Sequence, residues 1–222
     1  MFIGHWAPAL VAAAHPKAPS LGTLFIAGQL VDWAFFTFVL TDIEHLRLAP
    51  GTSVMNPMDL YHMPYTHSLA GTCLFAAGFA ALIWLVTRSR TGALIGAAVV
   101  VSHWFADLLV HVPDLTLWGS PPKLGLGLWD YPAIAMPLEL GLIALAFAVL
   151  IRARRPVSGR ALIPLGVLAL VMLAVQAINW FGPQPTEPDL AAAIAVFGTY
   201  AVISLIAEWA DRRLPVKKET PA

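Results

Sequence analysis

The chain has 222 residues, 59% of them apolar and only 12% charged, roughly half the charged share of an ordinary soluble domain. Its formal net charge is zero, which leaves no electrostatic basis for nucleic acid as a partner. The single cysteine, Cys73, sits inside an apolar block, so disulfide frameworks and cysteine-based zinc sites are excluded.

The apolar residues gather into blocks of about 20, the length that crosses a hydrocarbon core of roughly 30 Å. They predict an all-α, polytopic transmembrane bundle of about six spans, forming one domain over residues 1–222. Residues 2–14 come first. They lack a basic start, and His5, Trp6 and Pro8 interrupt them, which argues against a signal peptide. At 1.5 Å per residue they reach roughly 20 Å, too short to span. With Pro16 and Lys17 turning the chain after them, they are expected to form a half-helix that begins inside the membrane; an amphipathic surface helix is the alternative. The half-helix places His5 near the midplane, at the depth of Asp32 in the following span.

That span, 21–43, carries Gln29 and Asp32, and Asp42, Glu44 and His45 follow it as solvated loop residues. The next spans are expected at 67–87, 92–112, 133–151, 161–181 and 190–209. Glu139 falls in the fourth span, as a partner of the site or a snorkelling carboxylate. Gln176 and Asn179 near the end of the fifth are expected to make interhelical hydrogen bonds. Basic residues cluster after alternate spans: Arg88 and Arg90, then Arg152, Arg154, Arg155 and Arg160, then Arg212, Arg213, Lys217 and Lys218. The opposite loops hold Glu44, Asp59, Asp114, Asp130, Glu187 and Asp189, with Arg47 and Lys123 as their basic residues. By the positive-inside rule the basic side is the cytoplasm, and both termini lie there.

Polar side chains deep in a bilayer are costly, so they pair, face a cavity or do chemistry. In the third span His103, Asp107 and His111 recur at intervals of four, which aligns them along one helix face. Imidazole nitrogens with carboxylate oxygens suit zinc and other divalent first-row metals; a hydrogen-bonded pair that only stabilises helix packing is the alternative. The segment Tyr61-His62-Met63-Pro64-Tyr65-Thr66-His67-Ser68 leads into the second span. Thr66 or Ser68 is placed to cap that helix, with His67 at its N-terminus. Trp118 and Trp129 bracket an irregular loop containing Lys123. It reads as a lid in which Lys123 holds an anionic group, or as an interfacial aromatic belt.

Gly4-His5, Leu30-Val31-Asp32, His62-Met63-Pro64-Tyr65-Thr66-His67-Ser68 and Ser102-His103-x-x-x-Asp107 occur in that order. Together they resemble the bacterial inner-membrane family described as membrane-bound metal-dependent hydrolases, typified by the YdjM-like proteins. The resemblance covers roughly residues 4–118. It implies a ligand set of His5, Asp32, His62, His67, His103 and Asp107. Two departures stand out: Val31-Asp32-Trp33-Ala34 replaces the family's Pro-Asp-x-Asp, and Met63-Pro64 replaces an Arg-Gly. The function expected on this basis is metal-dependent hydrolysis, with zinc as the divalent metal ion and His5, Asp32, His67, His103 and Asp107 as its ligands. Asp32 or His62 would serve as general base, and Lys123, Trp118 and Trp129 would meet the substrate. That substrate would be a lipid-like ester or phosphoester at the outer face of the inner membrane. A transporter that uses the same residues to bind a proton or metal ion is the first alternative, and haem ligation by His103 with another histidine the second.

Overall fold

The computed structural model describes residues 1–155, 159–183 and 190–214. Among these the chain forms eight α-helices and one two-stranded sheet. The N-terminal segment is a 3-10 turn, Ile3–Trp6, running into α1, Ala7–Ala12, which Pro8 opens from within its first turn. Ile3, Trp6, Ala9 and Leu10 have no exposed surface. The segment is therefore a buried half-helix, packed against α6 (Pro132–Arg154) and α2 (Leu21–Gly28), and not a surface helix. Inside a lipid environment the gain comes from close packing, because lipid tails are as apolar as these side chains.

A helix that begins within a bundle carries backbone N–H groups with no partner of their own, and each one left unpaired there is costly. Here two polar side chains from neighbouring helices do so. Glu139 on α6 accepts from the Phe2 and Gly4 N–H groups at 2.7 and 2.9 Å through one oxygen. Gln176 on α7 (Gly159–Phe181) accepts from Ile3 N–H at 3.2 Å and donates to Glu139 at 3.3 Å. The expected interhelical role of Gln176 is thus met, and Glu139 is a buried anchor, not a snorkelling acid.

The expected continuous span 21–43 is broken. Ser20 caps α2 by accepting the Thr23 N–H, and α2 ends at Gly28. The chain then bends by 49° into α3, Leu30–Leu40. Gln29 leaves helical geometry at φ −111°, ψ 9°. Gly28 is needed at the bend because a Cβ there would lie 2.8 Å from the carbonyl oxygen of His5. The stretch expected to be plain loop then forms an antiparallel hairpin, β1 His45–Leu48 with β2 Met58–His62.

Helices α4 (Leu69–Thr87), α5 (Arg90–Val110), α6, α7 and α8 (Leu190–Arg213) are long and apolar enough to cross a membrane, and the bent pair α2–α3 is together apolar enough for a sixth, broken span or a re-entrant loop. Leu74, Leu94, Leu170 and Leu205 are between 68% and 75% exposed. An outer surface this apolar belongs in lipid. The chain is an all-α membrane bundle.

The basic clusters meet at one end. Arg154 donates to the Ala13 carbonyl at 3.1 Å and to Asp211 at 2.9 Å, and the Lys17 carbonyl lies against Gly92 at the start of α5. Glu187, Asp189, Lys217 and Lys218 lie outside the described residues. The hairpin and the 112–131 loop form the opposite end, where Leu69 and Ala70 of α4 donate to Thr116 and Leu117.

Candidate metal centre

Four elements deliver the cluster. The 3-10 turn carries His5, α3 carries Asp32, the residue before the Ser68 cap of α4 is His67, and α5 carries His103 and Asp107. His5, His67, His103 and Asp107 are each at most 3% exposed. The spacing of four on α5 does what helix periodicity requires: His103 and Asp107 share one face, with His111 next on the same face at the helix end.

The imidazoles of His103, His67 and His111 are each oriented by what Nδ1 meets, whereas His5 Nδ1 has no hydrogen-bond partner. His103 Nδ1 lies 2.9 Å from the Gly28 carbonyl, an oxygen set free because the helix stops there. His67 Nδ1 lies 2.9 Å from the Thr66 hydroxyl oxygen, whose own proton goes to Glu44. His111 Nδ1 lies 2.9 Å from Asp114 Oδ1. In all three rings Nδ1 is the donor, which leaves the Nε2 lone pair free to point inward. Histidine ligands of metals are characteristically oriented in this way, with the second nitrogen tied to a carbonyl or carboxylate.

The inward nitrogens converge on two carboxylates. His103 Nε2 is 3.3 Å from Asp32 Oδ1 and 3.0 Å from Asp107 Oδ2. His67 Nε2 is 3.5 Å from Asp32 Oδ1 and 3.7 Å from Asp107 Oδ2. A tetrahedron built on zinc–ligand bonds of 2.0–2.1 Å has edges of about 3.3–3.4 Å, and these four separations bracket that value. Yet His103 Nε2 makes no hydrogen bond. With its Nδ1 protonated for Gly28, a neutral His103 would set a lone pair against carboxylate lone pairs. A positive charge between them removes the conflict, either a metal ion or a proton on Nε2 that makes His103 an ion pair with the two carboxylates. The buried His and Asp side chains can therefore hold a metal ion.

The other oxygen of Asp107 has its own neighbours. His5 Nε2 lies 3.1 Å from Oδ1 and His111 Nε2 lies 3.3 Å from it. The α-ammonium group of Met1 donates to the same oxygen at 2.8 Å. The His5 and His103 rings stack at 3.7 Å, 7° from parallel. Asp32 Oδ2 accepts the Tyr200 hydroxyl at 3.1 Å.

A cavity of about 410 Å³ opens onto this group. Asp32, His67, Asp107 and His111 line its polar end, while Phe36 and Val39 of α3, Ile178 of α7 and Val196 of α8 line its apolar walls. No lysine or arginine lines it among the described residues.

Of the residues expected at the site, His5, Asp32, His67, His103 and Asp107 come together. His62 does not. It is an exposed residue of β2, its ring 5.2 Å from that of His45, its cross-strand partner. The loop does not fold it inward, because strand pairing in the hairpin turns its side chain to the surface. His62→Ala is expected to leave metal content and any hydrolysis within twofold of the unmodified protein; a tenfold loss of either would restore it to the site. Lys123 is also exposed and donates to the Tyr61 carbonyl at 3.3 Å, so it holds the loop to the hairpin. Trp118 is 79% exposed, as a belt residue would be. Trp129 alone of the three reaches the site, with its ring 4.2 Å from that of His111 in the cavity wall.

Sequence reasoning left His111 out of the ligand set and took Glu44 for a solvated loop acid. Glu44 is fully buried and accepts the Tyr65 and Thr66 N–H groups at 2.8 and 2.9 Å, which fixes the backbone that presents His67. The i+8 position of His111 was the available signal. For Tyr200 there was none, since a tyrosine in an apolar span is unremarkable. Comparison with protein-family models, with curated proteins and with solved structures finds no match to this chain.

Proposed function

We propose that the chain is a metal-dependent hydrolase of a bacterial inner membrane, as its motifs' likeness to the YdjM-like proteins suggests, cleaving an ester or phosphoester bond of a lipid-like amphiphile. The observation that carries this is the His103 imidazole: Nδ1 committed to Gly28, Nε2 unbonded and facing two carboxylates at 3.0 and 3.3 Å. Two imidazole nitrogens and two carboxylate oxygens at near-tetrahedral spacing suit zinc best. Bound there, zinc would supply Lewis acidity, and a water added to its four protein ligands as a fifth would have its pKa brought towards neutrality.

The protein's own groups supply the rest. Asp32 differs from the other ligands in lining the cavity with its side chain 17% exposed. Its Oδ1 faces the histidines, while Oδ2, held by the Tyr200 hydroxyl, is placed to take a proton from a water entering from the cavity. The apolar walls suit an acyl chain, leaving its polar linkage at the histidine and aspartate end. By the positive-inside rule the basic end is cytoplasmic, and the cavity then serves the outer leaflet.

A second reading, transport of a metal ion or proton, is favoured by the 49° break between α2 and α3, since interrupted helices bind ions in transporters. Against it, the carbonyl that the break releases is taken by His103. Haem ligation through His103 is disfavoured because its Nε2 faces carboxylates where a macrocycle would have to lie.

The test uses protein in lipid nanodiscs, supplied with a fluorogenic long-chain ester and the matching phosphodiester. Turnover of one of them is expected, abolished by a chelator and restored by zinc. Asp32→Asn should lower it by about 100-fold or more, the scale of a lost general base. Turnover of neither, with zinc uptake into proteoliposomes, would move the protein to the transport reading.

A further inference from the structure

We propose that Asp107 bridges two divalent cations, the second held by His5 and His111. The inference rests on the metal-binding reading of the cluster and adds a position to it, using a histidine that lies outside the family pattern. Asp107 is the only residue of the group that shows a different set of nitrogens to each of its oxygens. Oδ2 faces His103 and His67 at 3.0 and 3.7 Å. Oδ1 faces His5 and His111 at 3.1 and 3.3 Å. His103 lies close enough to share an ion with His5 and Asp107 or with Asp32 and His67; one Nε2 serves one ion, so placing His103 in the first position leaves His5 to the second.

His111 is built as a ligand. It is 3% exposed, and its Nδ1 is held at 2.9 Å by Asp114, itself only 7% exposed. A carboxylate behind an imidazole fixes the tautomer and raises the basicity of the ligating nitrogen. Trp129 covers the ring at 4.2 Å and narrows its choice of rotamer. A histidine serving only as a helix-end donor would need no buried acid behind it.

The two positions also differ in coordination. The first has four protein ligands: Asp32, His67, His103 and Asp107. The second has three, His5, His111 and Asp107, which is the number found at zinc sites that keep a place for water or substrate. His111 and Asp107 line the cavity, so the open place of the second position faces it. Two cations held by one carboxylate suit phosphoester cleavage, where one ion meets the attacking oxygen and the other the leaving oxygen. The Met1 ammonium, 2.8 Å from Oδ1, is the rival source of positive charge on that side.

The experiment measures zinc per chain by elemental analysis after reconstitution of the full-length protein and removal of free metal. The unmodified protein should hold two ions, His111→Ala one, and Asp114→Asn two, with one of them weakened by about 10–100-fold. Circular dichroism and thermal unfolding accompany each variant. If His111→Ala fails to fold, Asp114→Asn carries the test, because it is close in size and leaves all three ligands in place. One ion in the unmodified protein, or two ions of unchanged affinity in Asp114→Asn, overturns the second position and leaves the first standing. No bound ion in the unmodified protein overturns both.

Discussion

Replacing Asp107 by alanine is expected to strip the centre of metal while leaving the helical bundle folded. Among the described residues Asp107 touches the most members of the site: His5, His67, His103, His111 and the Met1 ammonium group all lie within 3.7 Å of its oxygens. Without it, Asp32 is the one carboxylate left facing Nε2 atoms of the cluster among the described residues, since Asp114 meets His111 through Nδ1. Losing one ligand already costs most metal sites heavily, and losing the shared one should lower affinity by more than the 10–100-fold typical of an outlying partner. The fold rests elsewhere. Ile3, Trp6, Leu10, Leu24 and Phe25 form a fully buried apolar cluster that Asp107 does not enter. Elemental analysis with far-UV circular dichroism checks this, and full metal content in a folded Asp107→Ala protein would remove the residue from the centre.

Glu139→Ala should act at a distance. Its carboxylate satisfies the Phe2 and Gly4 N–H groups, and each buried donor left unpaired costs about 1–3 kcal/mol. The two together weaken docking of the N-terminal turn by about 2–6 kcal/mol. His5 rides on that turn, so its Nε2 leaves Asp107. Hydrogen exchange at residues 2–6 should rise sharply in Glu139→Ala and much less in Glu139→Gln, which keeps an acceptor. Unchanged protection in both variants would show that apolar packing alone docks the segment.

Much of this architecture was legible beforehand because lipid imposes a simple rule on sequence. Five apolar blocks of spanning length could hardly be anything but helices, and each appears within a few residues of its expected limits. The half-helix was legible for the same reason in reverse: residues 2–14 are apolar enough to be buried and too few to cross. The α5 face was legible because His103 and Asp107 sit one helical turn apart. The break at Gly28–Gln29 was not. Apolar content runs straight through it, and its cause is tertiary: the Gly28 carbonyl is wanted by His103 and the Gln29 side chain by the Phe2 carbonyl. Glu44 was misjudged because its sequence position resembles a loop, whereas its partners, Tyr65 and Thr66, lie 21 and 22 residues away. His62 erred the other way. Motif likeness drew it towards the site, and hairpin pairing with His45 held it outside.

Everything functional depends on imidazoles and carboxylates from separate helices closing on one cation. X-ray absorption at the metal edge of the purified protein measures that directly. A shell of nitrogen and oxygen at about 2.0–2.2 Å, with the outer scattering of at least two imidazoles that disappears in a His67→Ala/His103→Ala double variant, is the expected result. A metal edge showing water oxygens alone, or an imidazole signal unchanged by that double replacement, would contradict the centre.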